Sequence, residues 1–360
     1  MNATQATIDL DDTEGLLAAD RDGLLRAAST AGAQVRAAAA ALDEGALDSV
    51  RGDDPPRTVI WIAGRGTAET AGTMLAATLG GWAAAPIVVA AEAPPWIGPL
   101  DVLIVAGDDP GDSALVGAAA SAVRRGARVV VAAPYAGQLR DTTAGRVAVL
   151  EPRLPVPDGF RLCRYLAAGL AALQSVDPKL GMDLAALADE LDAEALRNSA
   201  SREVFTNPAK ALVERMSRRR VVLAGDCAAT LALARHGCSV LLRIAHQVTA
   251  ATGLGDALVA LRTADSGRVD PVEALFHDEE IDGPVAERLR VLALTLDAER
   301  TVVASRVAQL DDVDIVGAED VPDGPDGGIA PVGAQRAEQQ LAILAVRLEM
   351  AAVYLRLVRG

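Results

Sequence analysis

The sequence predicts an α/β protein of two doubly wound domains, each built on a parallel sheet and flanked by helices, with a helical segment in front. Three observations carry this. The short apolar runs are continuous rather than alternating, as strands buried on both faces require. They take turns with longer helical patterns, the order that yields parallel sheets. At 360 residues the chain has the length of about two hydrophobic cores.

Taken in order, the pattern from Asp12 to about Leu47 is helical. Leu16, Leu17, Leu24, Leu25, Val35 and Leu42 fall among alanines and charges, Asp11, Asp12 and Thr13 offer caps, and Gly23 and Gly32 divide the segment. Alternation follows: strand Val59 to Ala63, helix Thr67 to Leu79, strand Ile87 to Ala91, the loop Ala93-Pro94-Pro95-Trp96, strand Val102 to Ala106, helix Ser113 to Arg125 and strand Val129 to Ala133. A proline-rich stretch, Pro152 to Pro157, interrupts it before helices around Phe160 to Leu173 and Leu184 to Leu196, which cross between the lobes. A second round reads helix Pro208 to Met216, strand Val221 to Ala224, the turn Gly225-Asp226 and a long helix from Cys227 to about His246. A strand near Ala274 to Phe276, a helix Val285 to Leu296, a strand Thr301 to Ala304, an acidic Gly/Pro loop from Asp311 to Gly328 and a final helix Ala334 to Leu357 complete it. The expected segments are 1–50 (helical), 51–158 (first domain), 159–200 (interdomain helices) and 201–360 (second domain). The two halves read as versions of one unit without a residue-level repeat.

Composition narrows the function. The apolar fraction is 51% with 2% aromatic, so small side chains fill the interior. The net charge of −15, from 49 acidic and 34 basic residues, disfavours a polycationic surface for nucleic acid or anionic membrane. The densest basic cluster, Arg218-Arg219-Arg220, abuts an apolar run and reads as the exposed start of a strand. Cys163, Cys227 and Cys238 stand far apart with no CxxC pair, which argues against a zinc knuckle or a disulfide framework. The polar, acidic start from Met1 to Asp12 lacks the basic and apolar parts of a secretory signal, and no apolar run approaches ~18 residues. These features predict a cytoplasmic protein without metal or cofactor and without nucleic-acid or membrane partners.

The most informative stretch is Gly107-Asp108-Asp109-Pro110-Gly111-Asp112-Ser113, between an apolar strand and a helix. A strand that runs through a glycine turn into a helix N-terminus can hold phosphate on free backbone N–H groups. Three carboxylates here oppose a dianion, and Asp108 and Asp112 are expected to cap the helix instead. Gly64-Arg65-Gly66-Thr67 is a second turn of this kind. With Glu92 it could suggest a dinucleotide fingerprint, but Glu69 stands at the third fingerprint position, beside the pyrophosphate. Asp108, Asp109 and Asp112 lack the spacing of a calcium loop.

Together with Asn207-Pro208-Ala209-Lys210 and the order of elements, these two turns resemble the bifunctional phosphoglucose/phosphomannose isomerase family, whose members contain two SIS (sugar isomerase) domains. The likeness runs from about residue 55 to the C-terminal helix. It implies a homodimer that binds a sugar phosphate between its domains, with Gly64, Gly66, Thr67, Gly107, Ser113 and Arg161 as ligand contacts. It also implies aldose-ketose isomerisation through an enediol, which needs a base and a phosphate grip. The sequence departs from the family at both. The serine of the first turn is Ala68, the phosphate loop falls on Ala106, Asp108, Asp109 and Gly111 with every hydroxyl gone, and the glutamate expected on the long helix falls on Arg243. No glutamate occurs between Glu214 and Glu273, and no histidine falls near Gly253 to Asp256. The expectation is therefore a sugar-phosphate-binding relative that has lost turnover, a pseudoenzyme. An active isomerase using Arg161 and His246 is one alternative, and an assembly partner docking through the acidic segment Asp311 to Asp326 is another.

Overall fold

The computed structural model describes residues 8–52, 54–64, 66–217, 219–265, 288–319 and 336–359. Three helices open the chain, α1 (Thr13–Ala19), α2 (Leu24–Ala28) and α3 (Ala31–Asp43). Asp12 caps α1 by accepting from the Gly15 N–H at 2.9 Å, and Gly23 breaks the segment in the left-handed region at φ 65°. The second break falls at Ser29 and Thr30, not at Gly32. Gly32 lies inside α3, where a Cβ would stand 2.0 Å from the Asp192 carboxylate, so it permits close helix packing rather than a turn.

The first sheet holds β1 (Thr58–Ala63), β2 (Ile87–Ala90), β3 (Asp101–Ala106), β4 (Arg128–Ala132) and β5 (Ala148–Val149), in the order β2-β1-β3-β4-β5 with every pair parallel. Its helices are α4 (Thr67–Leu79), α5 (Ser113–Arg124) and α6 (Gly137–Thr143). Between the sheets lie α7 (Leu162–Val176), α8 (Leu184–Arg197) and α9 (Pro208–Met216). The second sheet, also parallel, holds β6 (Arg220–Gly225), β7 (Ala250–Gly253), β8 (Leu289–Leu294) and β9 (Val313–Val316), in the order β7-β6-β8-β9. It is joined by α10 (Ala228–Ala245), α11 (Leu254–Asp265) and α12 (Asp297–Val307). The last helix is α13 (Ala337–Arg359). Among the described residues the second order repeats the first without its final strand, so the repeat lies in topology and not in residues.

Three expectations are corrected, the first being the loop expected from Asp311, whose start forms β9 at Val313–Val316. Residues 289–294 form β8, where a helix from Val285 to Leu296 was expected, and Thr301 to Ala304 fall inside α12, where a strand was expected. Short apolar runs do not distinguish a buried strand from a buried helix by periodicity. Burial does: Val291 to Leu294 are covered on successive residues, as between two helical layers, whereas in α12 only Val303 and Val307, one helical turn apart, turn inward. The strand expected near Ala274 to Phe276 and the acidic loop beyond Glu319 lie outside the described residues.

Helix α13 is buried on nearly its whole circumference and packs on α8, α9 and α10. Its Arg347, 1% exposed, donates from Nε to Glu194 Oε1 at 2.8 Å and from Nη1 and Nη2 to the carbonyls of Gly317 and Ala318 at 2.8 and 2.9 Å. Glu194, 0% exposed, also accepts from Arg197 at 3.0 Å and Asn198 at 2.6 Å. One guanidinium thus joins α8, α13 and the chain leaving β9. Burial pushes the Glu194 carboxyl up, but Arg347, Arg197 and Asn198 together hold the group below its ordinary 4.5. Replacing Glu194 by Ala strands a buried cation, so urea unfolding at pH 7 is expected to show a loss of about 3–5 kcal/mol. Because the folded carboxyl titrates below 4.5, this contribution is complete above that pH and fades as pH falls through the folded value. The gap between wild type and Glu194→Ala should therefore narrow in acid.

Candidate ligand-binding site

In the first sheet the chain leaves β1 toward β2 on one side, while β3 lies on the other. Such a reversal opens a crevice beyond the carboxyl ends of the two strands. The loops after β1 and β3 meet there at two glycines. A Cβ on Gly64 would lie 3.4 Å from the Gly107 Cα, and one on Gly107 would lie 2.6 Å from Leu115 Cδ1. Gly64 N–H donates to the Ala106 carbonyl at 2.7 Å, which fixes the approach. Gly66 precedes α4 at φ 88°, and no side chain caps that helix start.

A cleft of about 200 Å³ opens between the first two turns of α4 and the outer half of α10. From α4 come Gly66, Thr67, Glu69, Thr70 and Thr73; from α10 come Arg235, His236, Ser239 and Arg243; Gly159 closes one side. Arg235 is exposed and forms no ion pair among the described residues. Arg243 lies 3.5 Å from Asp158. The His236 ring, 3% exposed, meets Glu349 of α13 with Nε2 and Oε1 2.9 Å apart. Burial raises the Glu349 carboxyl above its ordinary value, although His236 draws it back. Behind them the Cys163 thiol is raised by burial and then by Glu349, which leaves it unreactive.

Beside the cleft runs a chain of ion pairs. Asp108 Oδ1 receives the Tyr165 hydroxyl at 2.7 Å, Arg161 Nη1 at 2.9 Å and Arg164 Nη2. Arg161 also meets Asp158 at 2.7 Å and donates from Nε to the Val156 carbonyl at 2.6 Å. Burial pushes the Asp108 carboxyl up, yet Tyr165, Arg164 and Arg161 together hold it below its ordinary value. Asp108 is therefore not a helix cap, contrary to expectation: charged donors on α7 outcompete the amides of α5. Asp112 does cap α5, accepting from Ala114 N–H at 2.8 Å, and Asp109 accepts from Gly111 N–H at 2.8 Å.

Of the residues singled out in the sequence, Gly66 and Thr67 line the cleft, while Gly64 and Gly107 pack against each other where the two loops meet, outside that lining. Arg161 lies outside the lining, two residues after Gly159, with its guanidinium committed to Asp108 and to Asp158, which also meets Arg243. Ser113 starts α5 behind Asp112, and His246 is an exposed left-handed cap of α10 at φ 52°, outside the lining. Arg235, Ser239 and Arg243, spaced four apart on an alanine-rich helix, were a legible polar stripe that the sequence reading missed. Glu349 had no such signal, being 113 residues from His236. The Asn-Pro-Ala-Lys box proves to be a helix start: Asn207 caps α9 through Lys210 N–H at 3.0 Å, and the Lys210 ammonium donates to the Ala200 and Arg202 carbonyls at 2.9 and 2.7 Å. Among the described residues no group of three metal-ligating side chains occurs, and no helix is long and apolar enough to cross a membrane.

No protein-family model matches the sequence, and no curated protein matches it. Solved structures do. A putative phosphosugar isomerase from Clostridium difficile superposes with a TM-score of 0.59 at 12% identity, over 94% of this chain and 93% of that one. The tagatose-6-phosphate ketose/aldose isomerase of Escherichia coli gives 0.58 at 14% identity, over 99% and 96%. The fold is that of the phosphosugar isomerases. A glucose-6-phosphate isomerase like protein from Thermus thermophilus, at 0.51 and 19% identity over 98% and 94%, shares it. At these identities the phosphosugar-isomerase fold is what the chain has in common with them.

Proposed function

We propose that this protein binds a phosphorylated sugar in the cleft between α4 and α10 and holds it without isomerising it. The observation that carries the reading is the lining: an uncapped helix start at Gly66 and Thr67, Arg235, without an ion pair among the described residues, beside Arg243, and the hydroxyls of Thr70, Thr73 and Ser239, against the one carboxylate of Glu69. A helix N-terminus and guanidinium groups attract a phosphate, and hydroxyls match the sugar's own. The fold's solved examples, named as phosphosugar isomerases, agree with that ligand class. Loss of turnover is supported by Arg243 standing where the resemblance expects the catalytic glutamate, and by the exposed placement of His246 outside the lining.

Isothermal titration with fructose 6-phosphate and with fructose tests the binding. The phosphorylated sugar is expected to bind more tightly, and Arg235→Ala to weaken it about tenfold or more, the value of a charge-assisted hydrogen bond. No heat with either sugar, or an Arg235→Ala variant that binds like wild type, contradicts the reading.

Turnover is a second reading, favoured by one observation: His236 lines the same cleft and is backed by the Glu349 carboxylate. An imidazole held by a carboxyl group can carry a proton. Proton NMR of fructose 6-phosphate in deuterated buffer decides it. The binding-only reading predicts no solvent deuterium at C1 over hours with wild-type protein, whereas incorporation that His236→Gln abolishes establishes turnover.

A further inference from the structure

The loop after β3 holds a feature that binding in the α4/α10 cleft leaves unused. Three donors converge on one oxygen: the Tyr165 hydroxyl at 2.7 Å, the Arg161 guanidinium at 2.9 Å and the Arg164 guanidinium all point to Asp108 Oδ1. This is a built site rather than a chance surface pair. Tyr165 is 1% exposed, the arginine side chains are 21% and 15% exposed, and Arg164 stacks over the Tyr165 ring at 4.4 Å. The donors stand on one end of α7 and face the carboxyl end of a central strand, where the chain turns into α5. Convergent guanidinium and hydroxyl donors in that position suit a phosphate oxygen as well as a carboxylate oxygen.

We infer that Asp108 is a resident anion. Its carboxylate fills an anion-binding nest of Arg161, Arg164 and Tyr165, and so determines specificity by keeping a ligand's phosphate out of the loop after β3. Two further carboxylates reinforce the exclusion, because Asp109 and Asp112 take the N–H groups of Gly111 and Ala114 at 2.8 Å each. A dianion entering the loop meets all three at close range, where like charges repel. The inference deepens the proposed function and rests on it in one respect: the phosphate of a bound sugar must then lie toward Arg235 and Arg243 of α10, which sets the ligand's direction in the cleft.

Removing the resident anion should uncover the nest. The full-length Asp108→Ala protein, titrated calorimetrically with inorganic phosphate, is expected to bind at least about tenfold more tightly than wild type, and adding Arg164→Ala to it should cancel the gain. Asp108→Asn, which keeps the shape and removes the charge, should move in the same direction and decides alone if the alanine variant does not fold. Phosphate should raise the melting temperature of either variant more than that of wild type. If Asp108 serves only to tie α7 to the loop, the variants lose thermal stability and gain no phosphate affinity, which overturns the inference. The arms are separate. Wild type failing to bind fructose 6-phosphate refutes the proposed function alone, while Asp108 variants failing to gain phosphate affinity refute the resident anion alone.

Discussion

A guanidinium taken fully out of water must be repaid by partners on every side, and Arg347 finds them only if α8, α13 and the end of β9 come together. That requirement sets the relation between the halves. Helix α13 threads a core of small side chains against α10, while α10 packs on α4 of the first lobe. The cleft exists because α4 and α10 lie side by side, so the buried pair of Arg347 and Glu194 supports the site from a distance. Lys210 acts in the same layer. Its ammonium caps two carbonyls between α8 and α9 and lies over the Tyr354 ring at 5.5 Å, and burial lowers its pKa from the ordinary value.

The site itself is a redistribution of charge. Where strand, glycine turn and helix could have left backbone donors free at the end of β3, the chain spends its own carboxylates on them and pairs Asp108 with α7. Where β1 turns into α4, the helix start stays open, and the neighbouring helix supplies Arg235, which forms no ion pair among the described residues. The two loops of one crevice thus have opposite character. On the proposed reading, a phosphorylated sugar would be attracted to the loop after β1 and repelled from the loop after β3.

Much of the fold was legible because continuous apolar strands and amphipathic helices leave strong signals, as at Val59 to Ala63 and from Cys227 to His246. The misreadings over 289–304 share a cause: the apolar runs there are too short for periodicity to separate strand from helix, and only the neighbours decide. The site was less legible. Gly64, Gly66 and Gly107 marked two strand-to-helix turns, and those turns proved to meet at Gly64 and Gly107. The acidic turn was read as helix capping because its partners, Arg161, Arg164 and Tyr165, lie more than fifty residues downstream. His236 was passed over for the same reason, its carboxylate being on the last helix. Pairings made by tertiary structure leave no trace in local sequence, whereas turns and stripes do.

The account stands or falls on where an anionic sugar comes to rest. A crystal soaked with fructose 6-phosphate shows this directly. Density for the phosphate against Arg235 and Arg243, with Asp108 still paired to Arg161 and Arg164, is the predicted result. Phosphate density in the 107–113 turn, with Asp108 swung away, or a cleft without sugar density at saturating concentration, would contradict it.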